Sequence, residues 1–91
     1  MSQIRIEQNH SMATDDVRRE VEALAMKLQE RFGAQTQWRD DVLEFSGSGI
    51  SGSIQVEPER VVVEADLGFM FAIMQGPIEE QIRRVLSERL H

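Results

Sequence analysis

The alternation of apolar and polar residues predicts strands in two parts of the chain. Near the start, Ile4 and Ile6 alternate with polar neighbours, which predicts a first strand with one buried face. Later segments favour four short strands at 35–38, 42–46, 50–56 and 61–67, separated by turn-forming residues. Because strands that are joined by tight turns pair antiparallel, these four strands are expected to form a meander.

Two segments instead follow the helical period. The first begins near Thr14, whose hydroxyl is expected to cap it, and ends at Gly33, a residue suited to the left-handed conformation. The second is expected to begin at Gly76, with Pro77 in the first helical position. The apolar stripes of the two helices are Val17, Val21, Leu24, Leu28 and Phe32, and Ile78, Ile82, Val85 and Leu86.

The element order is therefore β-α-β-β-β-β-α. This order predicts a single α+β domain over residues 1–91, in which an antiparallel meander of about four to five short strands carries two amphipathic helices on one face. A chain of 91 residues fits one domain, with a core of modest size.

The connection between the last strand and the last helix is an unbroken apolar run at 69–74. Six consecutive apolar residues cannot all face inward from such a connection unless it is itself well buried. The run is therefore either core or an exposed contact patch for a partner protein, a second copy of the chain or another apolar surface. The predicted contact residues are Phe69, Met70, Phe71, Ile73 and Met74.

Composition narrows the classes of function. The formal net charge of -6 and the pI of about 4.8 argue against nucleic-acid binding and against anionic membrane surfaces, both of which need clustered basic residues. The absence of cysteine excludes disulfides and thiolate chemistry. The apolar run is far shorter than the about 20 residues of a membrane span, and the first residues do not resemble a secretory signal. We expect a soluble, cytoplasmic protein.

Few motifs in the sequence could support catalysis or ligand binding. The sequence GSGISG at 47–52 matches G-x-G-x-x-G, but a strand and not a helix follows it, so we interpret it as a hairpin turn. His10 and Asp15 are the polar-site candidates. General-base catalysis by His10 would need an oriented partner such as Asp15, Asp16 or Glu7. The alternative, which we favour, is that His10 ends the first strand and forms local hydrogen bonds. No metal site, cofactor or catalytic residue is predicted.

Several segments resemble a known family. They are IRIEQNHSM at the start, the helix at 17–33, the strand with Trp38, FSGSGISGSIQVEPERVVVEADLGF, and the helix after Gly76. Together they resemble the bacterial polyhydroxyalkanoic acid system proteins, which are found near polyhydroxyalkanoate granule genes. The resemblance covers almost the whole chain and implies a storage context, but it supplies no catalytic or binding residues.

Three functions are compatible with the resemblance and the residue pattern. The first is a non-enzymatic accessory protein that binds polyhydroxyalkanoate granules or their coat proteins through the apolar run. The second is a small homodimeric domain whose apolar run is the subunit interface, with another ligand or a regulatory role. The third is an enzyme acting on hydroxyacyl esters, for which the serines at 46, 48, 51 and 53 near His10 are the available nucleophiles. We expect the first.

Overall fold

The computed structural model describes residues 2–91 and contains five strands and three helices. The strands are β1 (Ser2–Asn9), β2 (Gln35–Arg39), β3 (Val42–Gly47), β4 (Ile50–Val56) and β5 (Arg60–Leu67). The helices are α1 (Thr14–Phe32), α2 (Phe69–Ala72) and α3 (Gln75–Arg89). The predicted α+β class and element order are confirmed, with α2 as an additional short helix.

The five strands form one antiparallel sheet in the order β1-β5-β4-β3-β2. Strands β2 to β5 are the predicted meander, since each pairs with the next along the chain. Strand β1 pairs with β5, from Ser2 opposite Leu67 to Asn9 opposite Arg60. The first strand of the sequence therefore lies at one edge of the sheet, and β2 lies at the other.

The core lies between one face of the sheet and the two long helices, as the sequence predicts. Helix α1 packs over β2, β3 and β4, whereas α3 packs along β1. Arg89 of α3 forms an ion pair with Glu20 of α1 at 2.9 Å, which ties the helices together. The opposite face of the sheet carries the polar members of the alternating pattern, among them Arg5, Glu7, Glu44, Ser51, Glu64 and Asp66.

Gly52 allows β4 and β5 to approach closely under a large side chain. A Cβ atom at Gly52 would lie 2.0 Å from the carbonyl oxygen of Glu64 and 2.9 Å from the ring of Phe45. The sequence motif GSGISG is thus a β3–β4 hairpin whose last glycine serves packing, and the hairpin interpretation is confirmed.

The start of α1 differs from the prediction. Ala13, not Thr14, is the N-cap residue, and no side chain caps this helix end. The backbone N–H groups of Asp16 and Val17 both donate to the Ala13 carbonyl oxygen, so the helix begins one residue early and the Thr14 hydroxyl lies within its first turn. The other end agrees with the prediction, since Gly33 has a φ of 64° and its N–H donates to Gln29.

Helix α3 also begins earlier than predicted. Met74 is its N-cap, Gln75 is its first residue, and Pro77 occupies the third helical position and not the first. The missing N–H of Pro77 still costs nothing there, because the donors of the first turn have no partner within the helix. As a consequence Glu79 lies beyond the first turn, where it pairs with Arg83 at 3.3 Å.

Candidate functional site

The predicted contact run lies where β5 turns into the helical layer. Leu67 at the end of β5 is opposite Ile50, the first residue of β4, and opposite Ser2 in β1. The β3–β4 turn and the beginning of β1 therefore share this end of the molecule with α2. The Gly68 N–H donates to the Gly49 carbonyl oxygen at 2.8 Å, which fixes the start of α2 to the β3–β4 turn.

Phe71 anchors α2 to the rest of the protein. Its ring packs edge-to-face on Phe32, with 5.3 Å between the ring centroids and an interplanar angle of 89°. The same ring covers Gly49 so closely that a Cβ atom there would lie 2.7 Å from the Phe71 Cδ2 atom. Phe71 is thus half-buried against the core, unlike most of the predicted contact run.

The other four large side chains of the run point into solvent. The exposed fractions are 91% for Phe69, 78% for Met70, 88% for Ile73 and 48% for Met74. We call these four residues the apolar tip. A single helical turn can direct only some of its side chains toward the core. Because Phe71 takes the inward position, the residues of the tip point outward. Exposed clusters of large apolar side chains are typical of contact surfaces.

The chain segments that carry and adjoin the apolar tip contain no charged residues. The stretches 67–78 and 45–56 contain no charged residue, and neither does 32–38. The three stretches meet at this end of the molecule, since Phe71 contacts both Phe32 and Gly49. In a chain with sixteen acidic and ten basic residues, we call these segments the uncharged pole. Lys27 and Arg31, which line the α1–α3 crevice with Phe32, and Asp66 of β5 border it. Its formation depends on contacts between distant segments, so the sequence pattern alone did not reveal it.

His10 is buried at the opposite end of the sheet, and both of its ring nitrogens form hydrogen bonds with backbone groups. Its Nε2 lies 3.1 Å from the Glu57 carbonyl oxygen, and its Nδ1 accepts a hydrogen bond from the Met12 N–H at 3.2 Å. With Nδ1 as the acceptor, Nε2 is the ring nitrogen that donates to Glu57. Asp15 is not among these partners; it is exposed in the first turn of α1. The structure thus does not bring the two polar-site candidates together by a hydrogen bond.

The serines that could serve a hydrolase are also away from His10. Ser51 and Ser53 lie opposite Asp66 and Glu64 on the polar face of the sheet. Ser48 lies in the β3–β4 turn, whereas His10 follows the far end of β1. Among the hydrogen bonds of residues 2–91, none joins His10 to a serine hydroxyl.

The concave spaces of the described chain differ in size and polarity. On the polar face of the sheet, an open depression of about 440 Å³ is bordered by Arg5, Ser53, Glu64 and Asp66. An apolar crevice between α1 and α3, bordered by Leu28, Phe32 and Ile82, has a volume of about 30 Å³. That volume holds one or two water molecules and excludes a metabolite. Within the described part of the chain, no three His, Asp or Glu side chains converge as a metal site would require.

The chain matches the model of the family described as "Putative polyhydroxyalkanoic acid system protein" over residues 4–90, and it therefore belongs to this family. The resemblance seen in the sequence is confirmed. Comparison with curated proteins and with solved structures gave no match. None of the helices within residues 2–91 combines the length and the apolar character that crossing a bilayer requires.

Proposed function

We propose that this protein is a non-enzymatic accessory protein of polyhydroxyalkanoate storage that binds the granule surface through the apolar tip. The observation that carries the proposal is the outward projection of Phe69 and Ile73 from an anchored helical turn. Membership of the polyhydroxyalkanoic acid system family suggests what the tip binds, since a storage granule presents an aliphatic polyester as an apolar surface.

The size of the tip suits reversible attachment. Full burial of a side chain such as Phe, Met or Ile contributes about 1.5–3 kcal/mol, so four of them contribute roughly 6–12 kcal/mol before losses. Association costs about 4–15 kcal/mol in lost freedom of motion. One tip therefore holds the protein on a surface with micromolar or weaker affinity, which fits an accessory role better than a permanent coat.

The uncharged pole favours a polyester surface over other apolar targets. An anionic membrane would repel a chain of net charge -6. A polyester has ester carbonyl groups and no net charge, so the pole approaches it without desolvating charged side chains. Attachment is expected to survive high salt, because screening weakens only interactions between charges.

Co-sedimentation with isolated polyhydroxyalkanoate granules tests the proposal. We expect the wild-type protein to sediment with granules and the double variant Phe69→Asp/Ile73→Asp to remain in the supernatant. Phe71 is kept because it anchors α2. Met26→Asp is the matched control, since Met26 is also exposed, at 56%, but lies on α1 outside the tip. Undiminished binding by a folded double variant would contradict the proposal.

Granules stripped of their proteins distinguish the polyester from the coat proteins as the partner. Binding that persists after stripping supports direct attachment to the polymer, whereas binding that disappears indicates a coat protein as the receptor. Light scattering addresses the alternative that the tip joins two subunits. We expect the Phe69→Asp/Ile73→Asp variant to have the same mass in solution as the wild type.

The non-enzymatic part of the proposal is supported by the environment of His10. Both of its ring nitrogens are engaged by backbone groups of Glu57 and Met12, so neither is directed at a nucleophile. A turnover assay with hydroxyacyl thioesters is expected to show no rate above that of buffer. A rate that is lost in His10→Asn would overturn this part and leave the tip proposal to the sedimentation assay.

A further inference from the structure

Strand β1, along which α3 packs, is a long edge strand of the sheet. It pairs with β5 over its whole length, and no other strand of the described chain lies on its second side. Its eight residues run without proline and without a break in register. The other edge of the sheet, β2, has five residues and is followed by Asp40, whose φ is 53°. Proteins usually protect long regular edges because these pair readily with other strands.

The backbone groups that point away from the sheet are those of the odd-numbered residues. The N–H of His10 donates to the Glu59 carbonyl oxygen beside β5, so even-numbered residues face β5. On the open side, the Gln3 carbonyl oxygen accepts from the Gln75 side chain at 3.1 Å. The Ser11 N–H donates to the His91 carbonyl oxygen at 2.7 Å.

Both ends of the edge are thus covered by the protein's own groups. Between them lie the outward backbone groups of Arg5, Glu7 and Asn9, for which the described chain offers no strand partner. The Asn9 carbonyl oxygen accepts a hydrogen bond from the Gln8 side chain at 3.3 Å. Another strand that pairs at this point would satisfy these groups.

We propose that the partner strand is β1 of a second copy of this chain, paired antiparallel about a two-fold axis at Ile6. In this register Arg5 lies opposite the partner's Glu7, and Glu7 lies opposite the partner's Arg5. Opposite charges across antiparallel strands stabilise the pair, so the edge is complementary to itself.

Charge also excludes the neighbouring registers. A shift of the partner by one pair in either direction keeps the outward backbone groups facing each other, but it places Arg5 opposite Arg5 or Glu7 opposite Glu7. Like charges directly opposite each other destabilise a strand pair. Only the register centred on Ile6 combines backbone pairing with complementary charge at both positions.

Charged residues of the neighbouring strand β5 continue the alternation of positive and negative charge across the edge. Within one chain Arg5 and Glu7 form an ion pair along the strand. Glu64 of β5 lies opposite Arg5, so Arg5 would stand between Glu64 and the partner's Glu7. Arg60 contacts the Glu7 carboxylate at 2.8 Å from the β5 side. Glu7 would accordingly stand between Arg60 and the partner's Arg5. Each charge at the junction has an opposite charge on either side.

The mass of the protein in solution, measured by light scattering at micromolar concentrations, tests this interface. We expect twice the chain mass of 10.4 kDa for the wild type. Arg5→Glu and Glu7→Arg each place like charges opposite each other, and each single variant is expected to be a monomer. Mixing the two single variants restores complementarity, since two acidic side chains of one chain then face two basic side chains of the other. The mixture is therefore expected to regain the dimer mass.

Thermal unfolding of each single variant shows whether it is folded before mixing. A monomeric wild type overturns the proposal, and so does a dimer that persists in both folded single variants. If either single variant fails to fold, the double variant Arg5→Glu/Glu7→Arg takes its place: it preserves the charge pairing and is expected to be a dimer. A monomeric but folded double variant would contradict the proposed register.

Discussion

Replacing Gly49 by alanine challenges the contact that holds the apolar tip in place. The added Cβ atom would lie 2.7 Å from Phe71 Cδ2 and 2.8 Å from Phe71 Cε2. Distances below 3.0 Å do not occur for Cβ atoms without a shift of the neighbour. Because the hairpin fixes Gly49, the Phe71 ring has to move, and its edge-to-face packing on Phe32 changes. The expected result is a loosened α2 and a tip without a fixed orientation.

Two contributions determine how much stability the Gly49→Ala variant is expected to lose. Gly49 has a φ of 96°, a conformation that costs an L-residue about 1–2 kcal/mol. Displacing the half-buried Phe71 ring costs about 1 kcal/mol more, at the low end of the range for overpacked sites. A loss of about 2–3 kcal/mol lowers the Tm of a domain of this size by roughly 8–24 °C.

Thermal and urea unfolding, followed by circular dichroism, measure this loss. Gly76→Ala is the matched control, since a Cβ atom at Gly76 meets nothing within 4 Å and the residue lies in the first turn of α3. We expect the control to be as stable as the wild type or more stable by about 0.5 kcal/mol. Equal stability of Gly49→Ala and the wild type would refute the seating of Phe71 on the hairpin.

Three further predictions follow from the same structure. Gly52→Ala should destabilise the fold by about 3 kcal/mol or more in urea unfolding, because the new Cβ atom meets a backbone oxygen of the next strand. Phe71→Ala should lose about 2 kcal/mol, whereas Phe69→Ala should change stability by less than about 0.5 kcal/mol; similar losses would contradict the inward and outward assignment. Arg5 lowers the pKa of the Glu7 carboxyl below its ordinary value of 4.5. Such a group stabilises the fold above its unfolded pKa, and this contribution is lost as the pH falls through its folded pKa. The Tm of Glu7→Gln should therefore fall less than that of the wild type between neutral pH and about pH 3; parallel pH profiles would contradict this assignment.

Local pattern was sufficient for the main elements of the fold. The period of Val17, Val21 and Leu24 defines the buried side of α1, and the alternation of Val61, Val63 and Ala65 defines that of β5. Such patterns report which side of an element is buried, so they predicted the helices, the strands and the meander.

Features that depend on contacts between distant parts of the chain were harder to predict from the sequence. The pattern could not show that β1 joins β5 at the sheet edge, since the two strands are separated by most of the chain. It also grouped Phe71 with the other residues of the apolar run. Its inward position depends on the absence of a side chain at Gly49 and on Phe32 at the end of α1.

Helix starts were the other source of error. The sequence placed the caps at Thr14 and Gly76, where the residue types favour them, whereas the helices begin after Ala13 and Met74. Cap preferences amount to about 1 kcal/mol, which the docking of neighbouring segments readily outweighs. Near α1, that docking includes the hydrogen bond from the Met12 N–H to His10.

Binding to protein-free polyhydroxyalkanoate particles tests the central claim most directly, because the particles offer polyester and no coat protein. With adsorption followed on a quartz-crystal microbalance, the wild type should bind reversibly and equally well in low and high salt. Phe69→Asp/Ile73→Asp should not bind, and Met26→Asp should bind as the wild type does. Adsorption that disappears in high salt, or that is the same for all three proteins, would contradict attachment through the apolar tip.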